Sequence, residues 1–121
     1  MYELGRLSFA ARDYERAREQ LRAVTDSRQA AAQRFREPAS FLLCRSELDS
    51  GKREAARSCL ERFRADFPGS PHDGDALASL ATLRLGNGDC RRAMPLVEEY
   101  LRRFAHGPHA ASLGEGARRC R

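Results

Sequence analysis

Leu77-Ala78-Ser79-Leu80-Ala81-Thr82-Leu83-Arg84-Leu85-Gly86-Asn87-Gly88-Asp89-Cys90-Arg91-Arg92-Ala93-Met94-Pro95-Leu96-Val97 sets two apolar segments on either side of a glycine-containing break. Leu77, Leu80, Leu83 and Leu85 precede the break, and Ala93, Leu96, Val97, Tyr100 and Leu101 follow it, all at helical rather than strand spacing. Gly86-Asn87-Gly88 supplies the positive φ that a helix end needs, and Asp89 is a suitable cap for the helix that follows. The stretch therefore predicts two antiparallel helices joined by a tight bend. Ala93 falls where they approach most closely, and a larger side chain there would push them apart.

The same layout occurs twice upstream. Leu43-Cys44 precedes Gly51-Lys52-Arg53-Glu54-Ala55-Ala56-x3-Leu60, and Leu4-Gly5 precedes Asp13-Tyr14-Glu15-Arg16-Ala17-x3-Leu21. In each copy a small residue lies thirteen positions after the leucine of the first helix: 4 to 17, 43 to 56, 80 to 93. A register kept three times marks a repeat, in which each unit buries its apolar face only by stacking on a neighbour. The repeats run over about 1–36, 37–71 and 72–108, within one domain spanning 1–121.

The second helix of the later units ends at Phe67-Pro68-Gly69-Ser70-Pro71 and at Phe104-Ala105-His106-Gly107-Pro108, because proline cannot continue a helix and biases its predecessor toward extended backbone. Asp73 or Asp75 then opens the next helix. Between the first two units, Ser27 is read as the cap of one long helix from Arg28 to Ser50, with Pro38 tolerated as a kink or early-turn residue. Residues 109–121 are read as a short terminal capping helix, weakened by Gly114 and Gly116.

Composition fits a helical protein. Charged residues make up 32% and the apolar types 41%, and no window reaches the roughly eighteen apolar residues of a membrane span, so this segment is not expected to insert directly into a membrane. The opening Met1-Tyr2-Glu3-Leu4-Gly5-Arg6 has none of the parts of an export signal. The net charge of +5 is carried by arginine, with Lys52 the single lysine. Many of these arginines sit four residues from a glutamate, as in Glu98/Arg102 and Glu99/Arg103, which is a solvated helix face. No basic cluster is interleaved with aromatics, so a nucleic-acid partner is not expected.

On Leu4-Gly5, Ala17, Ala56, Ala93 and Pro68, the chain resembles the tetratricopeptide repeat (TPR) family from Met1 to the final helix. It departs from the family pattern at Ser8, Glu47 and Arg84 in the tyrosine place, at Leu21, Leu60 and Val97 in the aromatic place, and at Ala105 in the proline place. The resemblance implies an all-α, right-handed α-α superhelix of about three helical hairpins plus a C-terminal capping helix, acting as a protein-binding scaffold rather than an enzyme. The phrase Phe63-x3-Phe67-Pro68-Gly69-Ser70-Pro71 with Ala76-Leu77 is similar to repeats of bacterial envelope proteins, of the Tol-Pal-associated periplasmic and outer-membrane assembly lipoprotein kinds. That implies a bacterial periplasmic or envelope adaptor, with a cytoplasmic one as the alternative. The first unit starts at the fourth place of the pattern, so the native protein is expected to extend upstream.

Cys44, Cys59, Cys90 and Cys120 form neither a CxxC motif nor a zinc-like spacing. In the repeat register Cys44 and Cys59 lie mid-way along paired helices, while Cys90 opens a second helix beside which the chain returns at Cys120. Both pairs are within bridging reach, and two disulfides would fit an oxidising compartment. Buried free thiols are the other reading, preferred for Cys44 and Cys59. His72, His106 and His109 gather at turns and read as polar surface, not a metal site. No Ser/His/Asp order, paired-carboxylate setting or phosphate loop is present, so neither catalytic residues nor a cofactor is expected.

The concave side of stacked hairpins is lined by their first helices. That stripe predicts binding residues Tyr2, Arg6 and Phe9, then Phe41, Arg45 and Leu48, then Ala78, Thr82 and Leu85, with Arg119 from the last helix. Arg6, Arg45 and Arg119 over an apolar floor suit a peptide or partner protein bearing carboxylates. The carboxylate clamp of chaperone-tail binders is absent at these places. The alternative puts Phe9, Phe41 and Leu48 partly in the core with the arginines merely solvated. A second function, from a different class, is assembly through exposed repeat ends, including self-association through the uncapped first repeat.

Overall fold

Three bends built alike organise the chain. At residues 8–13, 47–52 and 84–89 the backbone closes with the same pair of hydrogen bonds: Asp13 N–H donates to the Ser8 carbonyl at 2.9 Å, Lys52 to Glu47 at 3.0 Å and Asp89 to Arg84 at 2.9 Å. One residue earlier, Arg12, Gly51 and Gly88 donate to Phe9, Leu48 and Leu85. This double closure satisfies carbonyls that a helix end leaves open, and it requires a left-handed residue at its centre. Gly51 and Gly88 take φ of 81° and 73°, and in the first bend Arg12 takes 62° without glycine's freedom. Asp13 and Asp89 accept from the amides of Arg16 and Arg92, starting the next helix, whereas Lys52 caps with backbone only.

The structure is a computed structural model that describes residues 1–120. These form eight helices with no strand among the described residues: α1 (Tyr2–Ala10), α2 (Tyr14–Thr25), α3 (Ala30–Gln33), α4 (Arg36–Asp49), α5 (Arg53–Asp66), α6 (Asp73–Gly86), α7 (Cys90–Arg103) and α8 (Ala110–Arg118). The second helix of each hairpin buries the same i, i+4, i+7 stripe: Ala17, Leu21 and Val24 on α2, Ala56, Leu60 and Phe63 on α5, Ala93, Val97 and Tyr100 on α7. All three alanines are fully buried. The all-helical hairpin class expected from the sequence is what the chain adopts.

The chain divides into two compact units, with the boundary at Ser70 and Pro71. In the first, the α1–α2 and α4–α5 hairpins join through packing of α4 on α2. Ala17, Leu21, Val24 and Ala39 form its core, flanked by Leu42 and Leu43. Arg18 and Glu47 are 8% and 6% exposed and pair across α2 and α4 at 3.5 Å, and Arg18 also reaches Glu15 at 3.1 Å and the Ser50 hydroxyl at 3.3 Å. A charged group so deeply buried is tolerable only with such partners.

The single long helix expected from Arg28 to Ser50 is not formed. Ser27 closes a local turn with the Gln29 amide at 3.2 Å, α3 is one turn long, and the chain breaks at Arg34 and Phe35 before α4 begins. Pro38 is the third residue of α4, where the missing N–H would have had no intrahelical partner.

In the second unit α6 and α7 form the hairpin and α8 packs against both. Leu77, Ala81, Val97, Tyr100, Leu113 and Ala117 make its core. Asp73 opens α6 as its first residue, with His72 at the cap position. Asp73 is buried and accepts from Arg103 of α7 at 2.9 Å. The hydrogen bond to Asp73 and then that to Glu99 hold the Arg103 guanidinium above its ordinary pKa. Tyr100 accepts from the His109 amide at 3.2 Å, and a Cβ on Gly107 would lie 2.5 Å from the tyrosine oxygen. The close approach at this turn therefore demands glycine.

α8 enters as α6 does. Pro71-His72 and Pro108-His109 occupy matching places, and His72 and His109 carbonyls accept the first helical amides, from Ala76 and Leu113, both at 3.0 Å. The terminal helix thus has the geometry of the first helix of a further repeat, and it ends at Arg118, short of Cys120.

Candidate functional site

Helices give a peptide-binding surface only where side chains escape the core. Two of the ten residues placed on the concave stripe do not. Phe41 is 7% exposed and packs on Phe63 with ring centroids 5.5 Å apart, and Ala78 is 2% exposed within the second unit's core. Phe9 is half-buried against Tyr14 at 5.7 Å, and Leu48 is half-buried.

The arginines of the first unit are locally matched. Arg6 pairs with Glu3 at 3.0 Å on an exposed face, and Arg45 lies 3.8 Å from Asp49. Arg45 nevertheless keeps a buried Nε with no hydrogen-bond partner. Tyr2 does not join these arginines. It stacks on Phe35 at 5.3 Å and lines an open cleft of about 470 Å³ with Met1, Val24, Ala31 and Ala32. Arg34 covers the Phe35 ring at 4.9 Å. The break between α3 and α4 makes this cleft, so a reading that runs one helix through Phe35 does not reveal it.

In the second unit Thr82, Leu85 and Arg119 come together. They line a cleft of about 440 Å³ between α6 and α8, with Ser112, Leu113 and Gly116 on the α8 side. Close contact of the two helices sets its depth, since a Cβ on Gly116 would lie 2.8 Å from Leu85 Cδ1. The Thr82 hydroxyl donates to the Ala78 carbonyl at 2.8 Å, so toward a ligand it serves as an acceptor. Leu85 provides an apolar floor, and exposed Arg119 has no acidic partner among the described residues. Glu115, also on the rim, is held by Arg118 at 3.2 Å.

The four cysteines are paired. Cys44 and Cys59 are joined across α4 and α5 with Cα atoms 5.3 Å apart, and Cys90 is joined to Cys120 at 5.6 Å. For Cys44 and Cys59 this differs from the preferred expectation of free thiols: the antiparallel packing of α4 on α5 sets the two mid-helix Cβ atoms face to face. Cys90 and Cys120 both line the α6–α8 cleft, a placement that spacing alone did not disclose.

Among the described residues no group of three or more His, Cys, Asp or Glu side chains converges as metal ligands would, and no helix is long and apolar enough to cross a membrane. His109 is taken up by Asp75 at 3.0 Å.

Comparison with protein families matches the tetratricopeptide repeat over residues 41–108, more than half of the chain. Comparison with curated proteins finds no match.

Proposed function

Because the chain belongs to the tetratricopeptide repeat family, we propose that it is a protein-binding scaffold whose partner seats an acidic segment, extended or helical, in the cleft between α6 and α8. Tetratricopeptide repeats generally mediate protein–protein interaction and are typically non-enzymatic. One observation carries the assignment to this cleft: an apolar floor at Leu85, a hydroxyl acceptor at Thr82 and, at Arg119, a cation with no acidic partner among the described residues line one concave surface. Arginine offers a carboxylate two parallel donors, and the floor rewards an adjacent apolar side chain.

Binding of a library of acidic peptides to the full chain, followed by fluorescence anisotropy, tests the reading. Arg119→Glu should weaken the selected peptides about tenfold or more, as loss of a charge-assisted hydrogen bond implies. Undiminished binding by that variant would remove the cleft from consideration.

The partner is expected to lie in an oxidising compartment, and a bacterial envelope location is the form of this proposal that the sequence resemblance supports. Its support is the pairing of all four cysteines, with no free thiol. Thiol titration of the unfolded, unreduced protein should find none, and four would refute it.

A second reading, assembly with other copies, rests on Met1, Leu4 and Leu7, which are 61%, 49% and 60% exposed along α1. Concentration-dependent sedimentation that Leu4→Glu with Leu7→Glu abolishes would favour it over the first.

A further inference from the structure

The two disulfides occupy opposite chemical settings. Cys44 is 1% exposed, mid-way along α4, with Cys59 half-buried opposite it on α5. Cys90 and Cys120 are both half-buried and both open onto the α6–α8 cleft. Cys90 is the first residue of α7, and Cys120 lies two residues beyond the end of α8.

The geometry points to Cys120 as a site of thiol exchange, at which an external monothiol displaces Cys90 and releases α8. In this step the incoming thiolate sulfur bonds to Cys120 Sγ and the Cys120–Cys90 bond breaks. The electron pair of that bond leaves on Cys90 Sγ as a thiolate. A second external thiolate then attacks the sulfur of the bound monothiol, forming the external disulfide and leaving Cys120 as a thiol. Two electrons pass from two external thiols to the protein disulfide, so oxidation and reduction balance.

Leaving-group stability decides which sulfur is attacked. A thiolate at Cys90 forms at the positive end of the α7 macrodipole, whose cap Asp89 takes up the Arg92 amide. The neighbouring Asp89 carboxylate is offset by Arg84 at 3.6 Å and Arg92 at 3.4 Å. A thiolate at Cys120 would form instead near the negative end of α8, where Cys120 N–H is engaged by the Ala117 carbonyl at 3.0 Å. Attack at Cys120 with departure of Cys90 is therefore the favoured direction, and exposed Arg119 beside Cys120 draws an anionic thiolate in.

The same reasoning protects the other bridge. Cys59 borders a cleft of about 550 Å³ in the first unit, so a thiol can approach it. Attack there would expel the Cys44 thiolate into the buried α4–α5 interface, mid-way along α4 rather than at a helix start, where burial disfavours the charge.

Release of Cys120 loosens α8 in particular. Only Leu113 and Ala117 are buried along this helix, and Gly114 and Gly116 each lower its intrinsic stability by about 1 kcal/mol relative to alanine. Since α8 supplies one wall of the cleft, exchange at Cys120 opens that wall.

Glutathione is the probe. The oxidised full chain is exposed to graded glutathione near neutral pH, quenched with an alkylating agent at intervals and mapped by peptide mass spectrometry. Cys90 and Cys120 should open at least about tenfold faster than Cys44 and Cys59, and the trapped glutathione adduct should be on Cys120. Amides of 113–117 in the half-reduced protein should exchange with solvent about tenfold or more faster, while those of α2 and α4 keep their rates. Equal opening of the two bridges, an adduct on Cys90, or unchanged exchange over 113–117 would each overturn the proposal. None of these readouts depends on peptide binding in the cleft.

Discussion

The two compact units fasten the same hairpin with different chemistry. In residues 1–70 the Ala-x3-Leu stripe continues to Val24 or Phe63, and a buried arginine–glutamate pair, Arg18 with Glu47, ties one hairpin to the next. From Pro71 onward the stripe continues to Tyr100, whose hydroxyl accepts from the turn that launches α8, and Asp73 with Arg103 ties the start of α6 to the end of α7. The comparison teaches that this repeat holds constant the small residue at the helix crossing and the left-handed residue in the bend. The place where a tyrosine is usual in the family is free to carry other chemistry.

The largest test of that contrast removes the two equivalent aromatics. Tyr100→Ala should cost about 4 kcal/mol and Phe63→Ala about 3 kcal/mol, the ordinary range for emptying an aromatic core site. Tyrosine is placed higher because its loss also strands the His109 amide. Urea denaturation followed by circular dichroism reads both, and an equal or reversed order would break the comparison.

Glu47→Ala should cost about 2 kcal/mol by removing the carboxylate that meets Arg18 across α2 and α4 while Glu15 and Ser50 remain, whereas Arg18→Met with Glu47→Met should stay within about 1 kcal/mol of the parent. A double variant as damaged as the single one would show that packing, not charge burial, governs the α2–α4 contact. The smallest effect concerns the bends. Arg12→Gly should stabilise the chain by about 1 kcal/mol and Gly88→Ala should destabilise it by a similar amount, since both act on a residue at positive φ. A thermal melt in which Arg12→Gly lowers the midpoint would contradict the equivalence of the three bends.

Much of this architecture was legible because it rests on local chemistry. Ala17, Ala56 and Ala93 announce the close helix crossings, Gly51 and Gly88 the bends, and Asp13 and Asp89 the caps. Arg12 hides its bend, because nothing in an arginine signals a left-handed backbone. The Arg18–Glu47 pair was not legible either. Glu47 stands out only as a departure from the repeat pattern, and its partner lies on a helix of the preceding hairpin, at a distance no local spacing encodes.

The break at Arg34 and Phe35 carries no proline or glycine, so continuous helical periodicity conceals it. Of the residues that the repeat register places on the concave stripe, Thr82, Leu85 and Arg119 line one cleft. Phe41 and Ala78 were misplaced onto the open face because helix periodicity alone does not show which neighbour covers a residue packed on two sides. The cysteine pairs followed from register, while their oxidation state depends on the compartment rather than on spacing.

The central claim is that the α6–α8 cleft receives an acidic segment of a protein partner. Amide chemical-shift mapping of the isotopically labelled chain against the tightest acidic peptide tests it directly. The largest shifts should fall at Thr82, Leu85, Ser112 and Arg119. Shifts confined to α1–α5, or spread evenly over the surface, would contradict it.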